Sequence, residues 1–136
     1  MRMVNGAVRF AATMAVVSMF AGAARADHHT VKVVTKEKLG SYLTDAKGMT
    51  LYVFKKDSPG KSACAGDCVT KWPLYYREQV GVTGDLKAAD FGTLARDDGQ
   101  KQTTYKGLAL YYFAGDKVAS DTNGQGVKDV WSVAAP

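Results

Sequence analysis

Histidine, cysteine and proline are scarce in this chain of 136 residues, which holds two, two and three of them. Both histidines, His28 and His29, stand side by side before the body of the sequence. A Ser–His or Cys–His pair inside the fold is therefore excluded, and with it the commonest hydrolase designs. No phosphate-binding glycine loop, dinucleotide fingerprint or nucleophile elbow is present. Long apolar runs are missing too. The longest, Phe10 to Phe20, covers 11 residues and is interrupted by Thr13 and Ser18, too short to cross roughly 30 Å of hydrocarbon as a helix. Nor is there an amphipathic 3.6-residue stripe of useful length.

What the N-terminus does have reads as an export signal over residues 1–26. Arg2 and Arg9 give a positive start, the apolar run follows, and Ala24-Arg25-Ala26 is an A-x-A cleavage site. A buried N-terminal core helix is the alternative reading. The first cysteine is Cys64, so a lipid-attachment cysteine at the cleavage site is not expected, and the mature chain is expected to be periplasmic with no membrane anchor. Removing residues 1–26 takes three arginines and no acidic residue, which leaves 15 basic against 13 acidic side chains on 110 residues. Lysine alternates with aspartate instead of clustering, so nucleic acid is not an expected partner. Residues 27–136 suit a single domain, which usually takes on the order of 100–150 residues.

The most informative feature is an internal repeat. A shift of 59 residues superimposes Thr44 on Thr103, Lys47 on Lys106, Gly48 on Gly107, Leu51 on Leu110, Tyr52 on Tyr111, Phe54 on Phe113, Asp57 on Asp116 and Trp72 on Trp131 without a gap. Tryptophan and the aromatics are rare types, so duplication of one supersecondary unit explains the matches better than chance. The two units span about 42–76 and 101–135.

Met49–Phe54 and its copy Leu108–Phe113 are rich in β-formers. Period two sends Leu51 and Val53 to one face and Tyr52 and Phe54 to the other, so these strands are expected to be covered on both sides. Gly48 and Gly107 sit where a hairpin turn needs positive φ. Asp97-Asp98-Gly99 marks a turn between Thr93–Arg96 and Gln102–Tyr105; Val31–Thr35 and Val130–Val133 are further strands, and Leu86–Phe91 the one helical suggestion. The expected fold is mainly β: a compact domain of two duplicated hairpin or meander units, with little helix beyond the signal.

Tyr52-x-Phe54-x-x-Asp57, Cys64-x-Gly66-x-Cys68 and Trp72-Pro73, with Tyr111-Tyr112-Phe113-Ala114-Gly115-Asp116 and Asp121-Thr122-Asn123-Gly124-Gln125-Gly126-Val127 in the second half, resemble the bacterial secreted-repeat family described as predicted lipoproteins with a Y-x-(F/W/Y)-x-x-D motif. The resemblance covers nearly all of residues 38–134 and implies an exported repeat protein whose biochemical role is not established. The chain departs from the family's lipoprotein label in having no lipid-attachment cysteine.

Several residues could carry chemistry. Cys64 and Cys68 are the only cysteines, and in an oxidising compartment the default is a disulfide. A thiol–disulfide site or a copper(I) dithiolate are the functional alternatives. The spacing is not C-x-x-C, and Val69 rather than His follows Cys68, which excludes haem attachment. The second unit has Asn123 and Val127 at these positions. Asp27-His28-His29 would begin the mature chain if cleavage follows Ala26. An amine, two backbone amides and the His29 imidazole then form a planar four-nitrogen set suited to Cu(II) or Ni(II); the bland reading is a polar tail.

Asp57 and Asp116 are equivalent positions. An acid–base pair wants unlike environments, so acceptance of backbone N–H groups in turns is the expected use. Trp72 and Trp131 could join Tyr42, Tyr52, Tyr105, Tyr111 and Tyr112 in a platform for a sugar or other flat ligand, or serve as core and inter-repeat anchors; Val53 against Tyr112 is a position where the units differ. Asp121–Gly126 has oxygen donors at alternate positions but Ser132 where an EF-hand loop needs glutamate, so a glycine-rich turn is expected. With no catalytic set visible, the expected function is a non-enzymatic binding or interaction module for an unknown ligand or protein partner. The alternatives are copper or nickel handling through Asp27-His28-His29, and thiol redox through Cys64 and Cys68.

Overall fold

The computed structural model describes residues 28–136; residues 1–26, expected to be an export signal, and Asp27 lie outside the described residues. Among the described residues, eight strands and one short helix follow one another as β1 (Thr30–Lys36), β2 (Gly40–Thr44), β3 (Tyr52–Phe54), α1 (Asp67–Lys71), β4 (Gly81–Val82), β5 (Phe91–Ala95), β6 (Lys101–Tyr105), β7 (Leu108–Ala109) and β8 (Trp131–Val133). They make three small sheets ordered β2-β1-β4, β3-β8 and β5-β6-β7. The fold is mainly β, as the alternating apolar pattern requires. The helical suggestion at Leu86–Phe91 is a single 3-10 turn over Ala88–Asp90. Helix α1 was not anticipated; five residues are too few to show a 3.6-residue stripe.

The duplication is visible in the hydrogen bonding. Hairpin β1–β2 pairs Lys32 with Thr44, and hairpin β5–β6 pairs Gly92 with Thr104. Both strands are offset by 60 residues, so the correspondence runs further toward the N-terminus than residue 42. Beyond the next turn the offset is 59: Tyr52 and Tyr111 exchange backbone hydrogen bonds in both directions, at 2.8 and 3.0 Å. The ungapped match of Thr44 to Thr103 is thereby corrected, since Thr44 superposes on Thr104. The extra residue is in the turns. In the first half the Asp45 N–H reaches Met49 O, and the Asp45 carboxylate accepts the N–H groups of Lys47 and Met49. The second half closes tightly through Lys106 and Gly107, at φ 49° and 86°, the pair of positive angles a type I′ turn demands.

The two halves are interlaced rather than stacked side by side. Strand β3 of the first half pairs with β8 of the second, with Tyr52 opposite Val133 and Phe54 opposite Trp131. Reciprocally, Leu74 bridges Tyr111, the Tyr112 N–H donates to Pro73 O and the Ala114 N–H to Lys71 O. The segment after each tryptophan also enters the other half's hairpin. Leu43 N–H donates to Ala134 O and Ala134 N–H to Leu51 O; Thr103 N–H donates to Tyr75 O and Tyr75 N–H to Leu110 O. Each half thus supplies a strand that the other lacks.

Because β3 lies between layers, its alternation divides two cores. Tyr52, Trp72, Tyr111 and Trp131 are buried in one, joined by Tyr42 and Leu94. Leu43, Leu51, Tyr75 and Leu110 are buried in the other, with Val53 and Tyr112 packed against it. The period-two assignment of Leu51 and Val53 against Tyr52 and Phe54 holds.

An interlaced pair leaves neither half a complete hydrogen-bonded sheet of its own, and an unpaired buried backbone group costs about 1–3 kcal/mol. Residues 28–77 and 88–136, made as separate fragments, are expected to lack the near-ultraviolet circular dichroism of packed aromatics. Mixing them is expected to restore it. A native-like monomeric spectrum from either fragment alone would contradict the interlacing.

Candidate functional site

The repeat motif assembles around the pseudo-two-fold axis between Tyr52 and Tyr111. The Tyr52 hydroxyl donates to Asp116 Oδ2, and the Tyr111 hydroxyl to Asp57 Oδ2, both at 2.7 Å. Tyrosine and aspartate of one motif are therefore satisfied by the partner motif. Each aspartate also accepts a backbone N–H in its own loop: Asp57 from Ala63 at 2.6 Å, Asp116 from Asn123 at 3.0 Å. The turn use expected from sequence is present, and the crossed tyrosine is added to it. The basic residues cross in the same way. Lys36 donates to Ser120 O and Thr122 Oγ1 in the second half, while Arg96 donates to Ser62 Oγ and Cys64 O in the first.

Burial pushes the carboxyl groups of Asp57 and Asp116 above the usual carboxylate range, against the opposing pull of the N–H and O–H groups that donate to them. Burial likewise raises the phenols of Tyr52, Tyr111 and Tyr112. Tyr75, whose buried hydroxyl has no hydrogen-bond partner among the described residues, is pushed up to about 12, with burial the main cause. In the exposed turns the shift reverses: the Gln100 N–H lowers Asp98, and the Lys117 and Val118 N–H groups lower Asp121.

The four rings after the tyrosines form one continuous stack. Trp72 lies on Trp131 with ring centroids 3.7 Å apart and planes within 5°. Phe54 covers the outer face of Trp131 at 4.2 Å, and Phe113 that of Trp72 at 4.4 Å. Rings of the first and second halves alternate along the stack. Tyr52 and Tyr111 meet Trp72 and Trp131 edge-on, at 5.4 and 5.0 Å. Gly124 passes so close to Trp72 and Tyr52 that a Cβ would lie within 2.9 Å of both rings, and its N–H donates to the Tyr52 hydroxyl. Trp72 and Trp131 are each only 4% exposed, whereas Phe54 and Phe113 at the two ends of the stack are half-buried.

Over the stack lies a groove of about 510 Å³ lined by all four rings. One wall carries Asp67, Cys68 and Lys71 from α1; the other carries Val127, Lys128 and Val130, with Lys56 at the rim. Cys64 and Cys68 are joined by a disulfide, S–S 2.04 Å, with Cys64 buried. It closes the loop that leads into α1 and so fixes the approach to Trp72. The opposite wall turns through Lys128 and Asp129, both at positive φ, 52° and 59°. Two consecutive non-glycine residues in that region are strained by about 1–3 kcal/mol each.

The remaining sequence candidates lie elsewhere. His28 and His29 are exposed at the start of β1, their rings 3.9 Å apart; Arg77 Nε donates to His28 O and Gly81 N–H to His29 O. Their partner in the four-nitrogen set, Asp27, is outside the described residues. Tyr112, the position that differs from Val53, spends its hydroxyl on Asp45 at 2.7 Å and its ring on Tyr75. In Asp121–Gly126 the Asp121 carboxylate accepts the N–H groups of Lys117 and Val118, the internal bonding of a turn. No cluster of three or more His, Cys, Asp or Glu suited to a metal occurs among the described residues, and no described helix is long and apolar enough to cross a membrane. Sequence reasoning had the rings but not the groove. Its walls come from α1 and the turn at Val127–Asp129, and no periodic signal marks either.

Removing the Tyr52 hydroxyl strands an oxygen of the buried Asp116, and removing the Tyr111 hydroxyl strands one of the part-buried Asp57. Tyr52→Phe and Tyr111→Phe are each expected to destabilise the protein by about 1–3 kcal/mol in urea unfolding. Tyr52→Phe costs more, because it also strands the buried Gly124 N–H, whereas Tyr111 faces the part-exposed Ser62. A folded-state pKa above the unfolded one means stability is full below the unfolded value and falls as pH rises through the folded value. Asp57→Asn and Asp116→Asn abolish that fall, so the penalty of each is expected to be larger near about pH 4 than at about pH 7. Thermal unfolding across this range checks the sign.

The family described as "Secreted repeat of unknown function" matches the chain twice, over residues 33–75 and 92–135. No curated protein and no solved structure matches it. The two matches coincide with the two interlaced halves, and the chain belongs to this secreted-repeat family.

Proposed function

We propose that the protein is a periplasmic, non-enzymatic binding module whose contact site is the groove over the four-ring stack. Export is supported by the positive start, apolar run and A-x-A site of residues 1–26, by the oxidised cysteine pair, which belongs to an oxidising compartment, and by the family's description as secreted. The observation that carries the binding reading is the groove over the ring stack. Its about 510 Å³ falls within the common size range of small-molecule sites, roughly 300–1,000 Å³, and its lining is mostly apolar with a few charged groups at the edge, as such sites are built.

The groove's walls come from unlike pieces of the two halves, a disulfide-closed helix and a strained turn. They therefore keep a shape that packing of the duplicated rings alone does not require. The disulfide closes the loop that carries one wall of this groove, which supports a structural role for it.

The neutral dye Nile red tests the site. Its emission is expected to rise on mixing with the oxidised protein. Val127→Asn/Val130→Asn, which makes one wall polar, is expected to reduce this rise at least about threefold; because both valines pack against the core, the comparison is made well below the variant's own melting temperature, with its near-ultraviolet circular dichroism unchanged. An unchanged rise in that variant places the apolar contact elsewhere and overturns the reading.

A further inference from the structure

Resting on the reading of the groove as the contact site, we propose that its occupant is a flat, electron-rich aromatic anion, held face-on against the ring edges with its charge toward Lys56, Lys71 and Lys128. The stack decides the first half of this. Trp131 and Phe113 cover the two faces of Trp72, and Trp72 and Phe54 cover those of Trp131. Both indoles line the groove nonetheless, but at 4% exposure each they offer it only a narrow strip of edge, flanked by the half-buried Phe54 and Phe113. An aromatic edge carries partial positive charge and a face partial negative charge, which is why rings meet edge-to-face. Edges therefore favour the π-face of a ligand ring lying across them. The indole faces are used within the stack, and the lysines around the groove oppose a cation over the phenylalanine faces at its ends.

The rim decides the second half. Three lysines and one carboxylate, Asp67, line the groove, and this charge is not something the repeat demands. At an offset of 59, Lys56 corresponds to Gly115, Lys71 to Val130, Lys128 to Val69 and Asp67 to Gly126. The floor is identical in both halves, Phe54 with Phe113 and Trp72 with Trp131, while every charged rim position is uncharged in its counterpart. Packing of the rings does not itself demand lysine at these three positions. Lys128 also sits on the strained turn, at φ 52°, and strain of this kind clusters at ligand-contacting sites.

Three probes separate ring, charge and groove when titrated calorimetrically into the oxidised full-length mature protein: naphthalene-2-sulfonate, naphthalen-2-ylmethylammonium and cyclohexanecarboxylate. The sulfonate is expected to bind at least about tenfold more tightly than either of the others, and to weaken as salt is raised. Lys56→Gln/Lys71→Gln/Lys128→Gln is expected to weaken the sulfonate about tenfold, the sum of three partly screened surface contacts, while Nile red still binds. Lys128→Gln alone serves if the triple variant melts early, with a smaller loss in the same direction. Equal or tighter binding of the ammonium, or of the non-aromatic acid, overturns the ligand class, as does a lysine variant with unchanged sulfonate affinity. If Nile red remains bound in those cases, the groove reading survives the loss of the class. If Nile red fails to bind the native protein, both fall.

Discussion

The structure depends on the exchange between Tyr52 and Tyr111. Their backbones pair directly across the pseudo-two-fold axis, and their hydroxyls cross to the aspartate of the opposite motif. Each tyrosine lies in a core where an unpaired hydroxyl or carboxylate costs free energy, so the two motifs are mutually obligatory. The strand swap, the alternating ring stack and the crossed contacts of Lys36 and Arg96 all follow from placing one unit's Tyr-x-Phe strand beside the other unit's Trp strand. A local motif of five or six residues thereby organises contacts across 59 positions of sequence.

The same duplication separates what serves folding from what is free to serve function. Among the positions identical in both halves, the motif tyrosines, aspartates, phenylalanines and tryptophans are all used in the interlaced core and its crossed hydrogen bonds. Positions that differ are where the halves have taken separate courses. Arg96 is buried among Ser62, Cys64 O and Gln102, whereas its counterpart Lys36 stays exposed. The disulfide reinforces the first half alone, a loop so short that it contributes about 2 kcal/mol on chain-entropy grounds. The groove rim belongs to this second class. Its lysines stand on the turn after β3 and on α1 in one half and on a strained turn in the other, above a floor that symmetry makes uniform.

A good part of this was legible beforehand. Tyr52 and Phe54 against Leu51 and Val53 reveal a strand covered on both faces, because period two in an extended chain leaves no other assignment. Gly48 and Gly107 reveal turns, since positive φ suits glycine. The match of Trp72 to Trp131 reveals duplication. Less legible was the register before the turn: Thr44 and Thr103 coincide by an ungapped shift, yet one extra turn residue moves the true partner to Thr104. Identity at an isolated threonine cannot detect an insertion that a tight turn absorbs. Helix α1 was also hidden, being set by the disulfide loop rather than by periodicity.

The sequence by itself determined that the chain is β-rich, built of two copies of one unit, and equipped with a cysteine pair. Those properties follow from local chemistry: side-chain alternation, turn preferences, rare residues at a fixed interval. Only the tertiary structure decided that the copies exchange strands, that each Tyr answers the other's Asp, and that Trp72 and Trp131 lie face to face beneath a lysine-rimmed groove. A hydroxyl does not encode which of two equivalent carboxylates it will meet. Folding within one half or across two satisfies the same local rules, and the choice rests on which arrangement buries four aromatic rings and leaves no polar group of the motif unpaired.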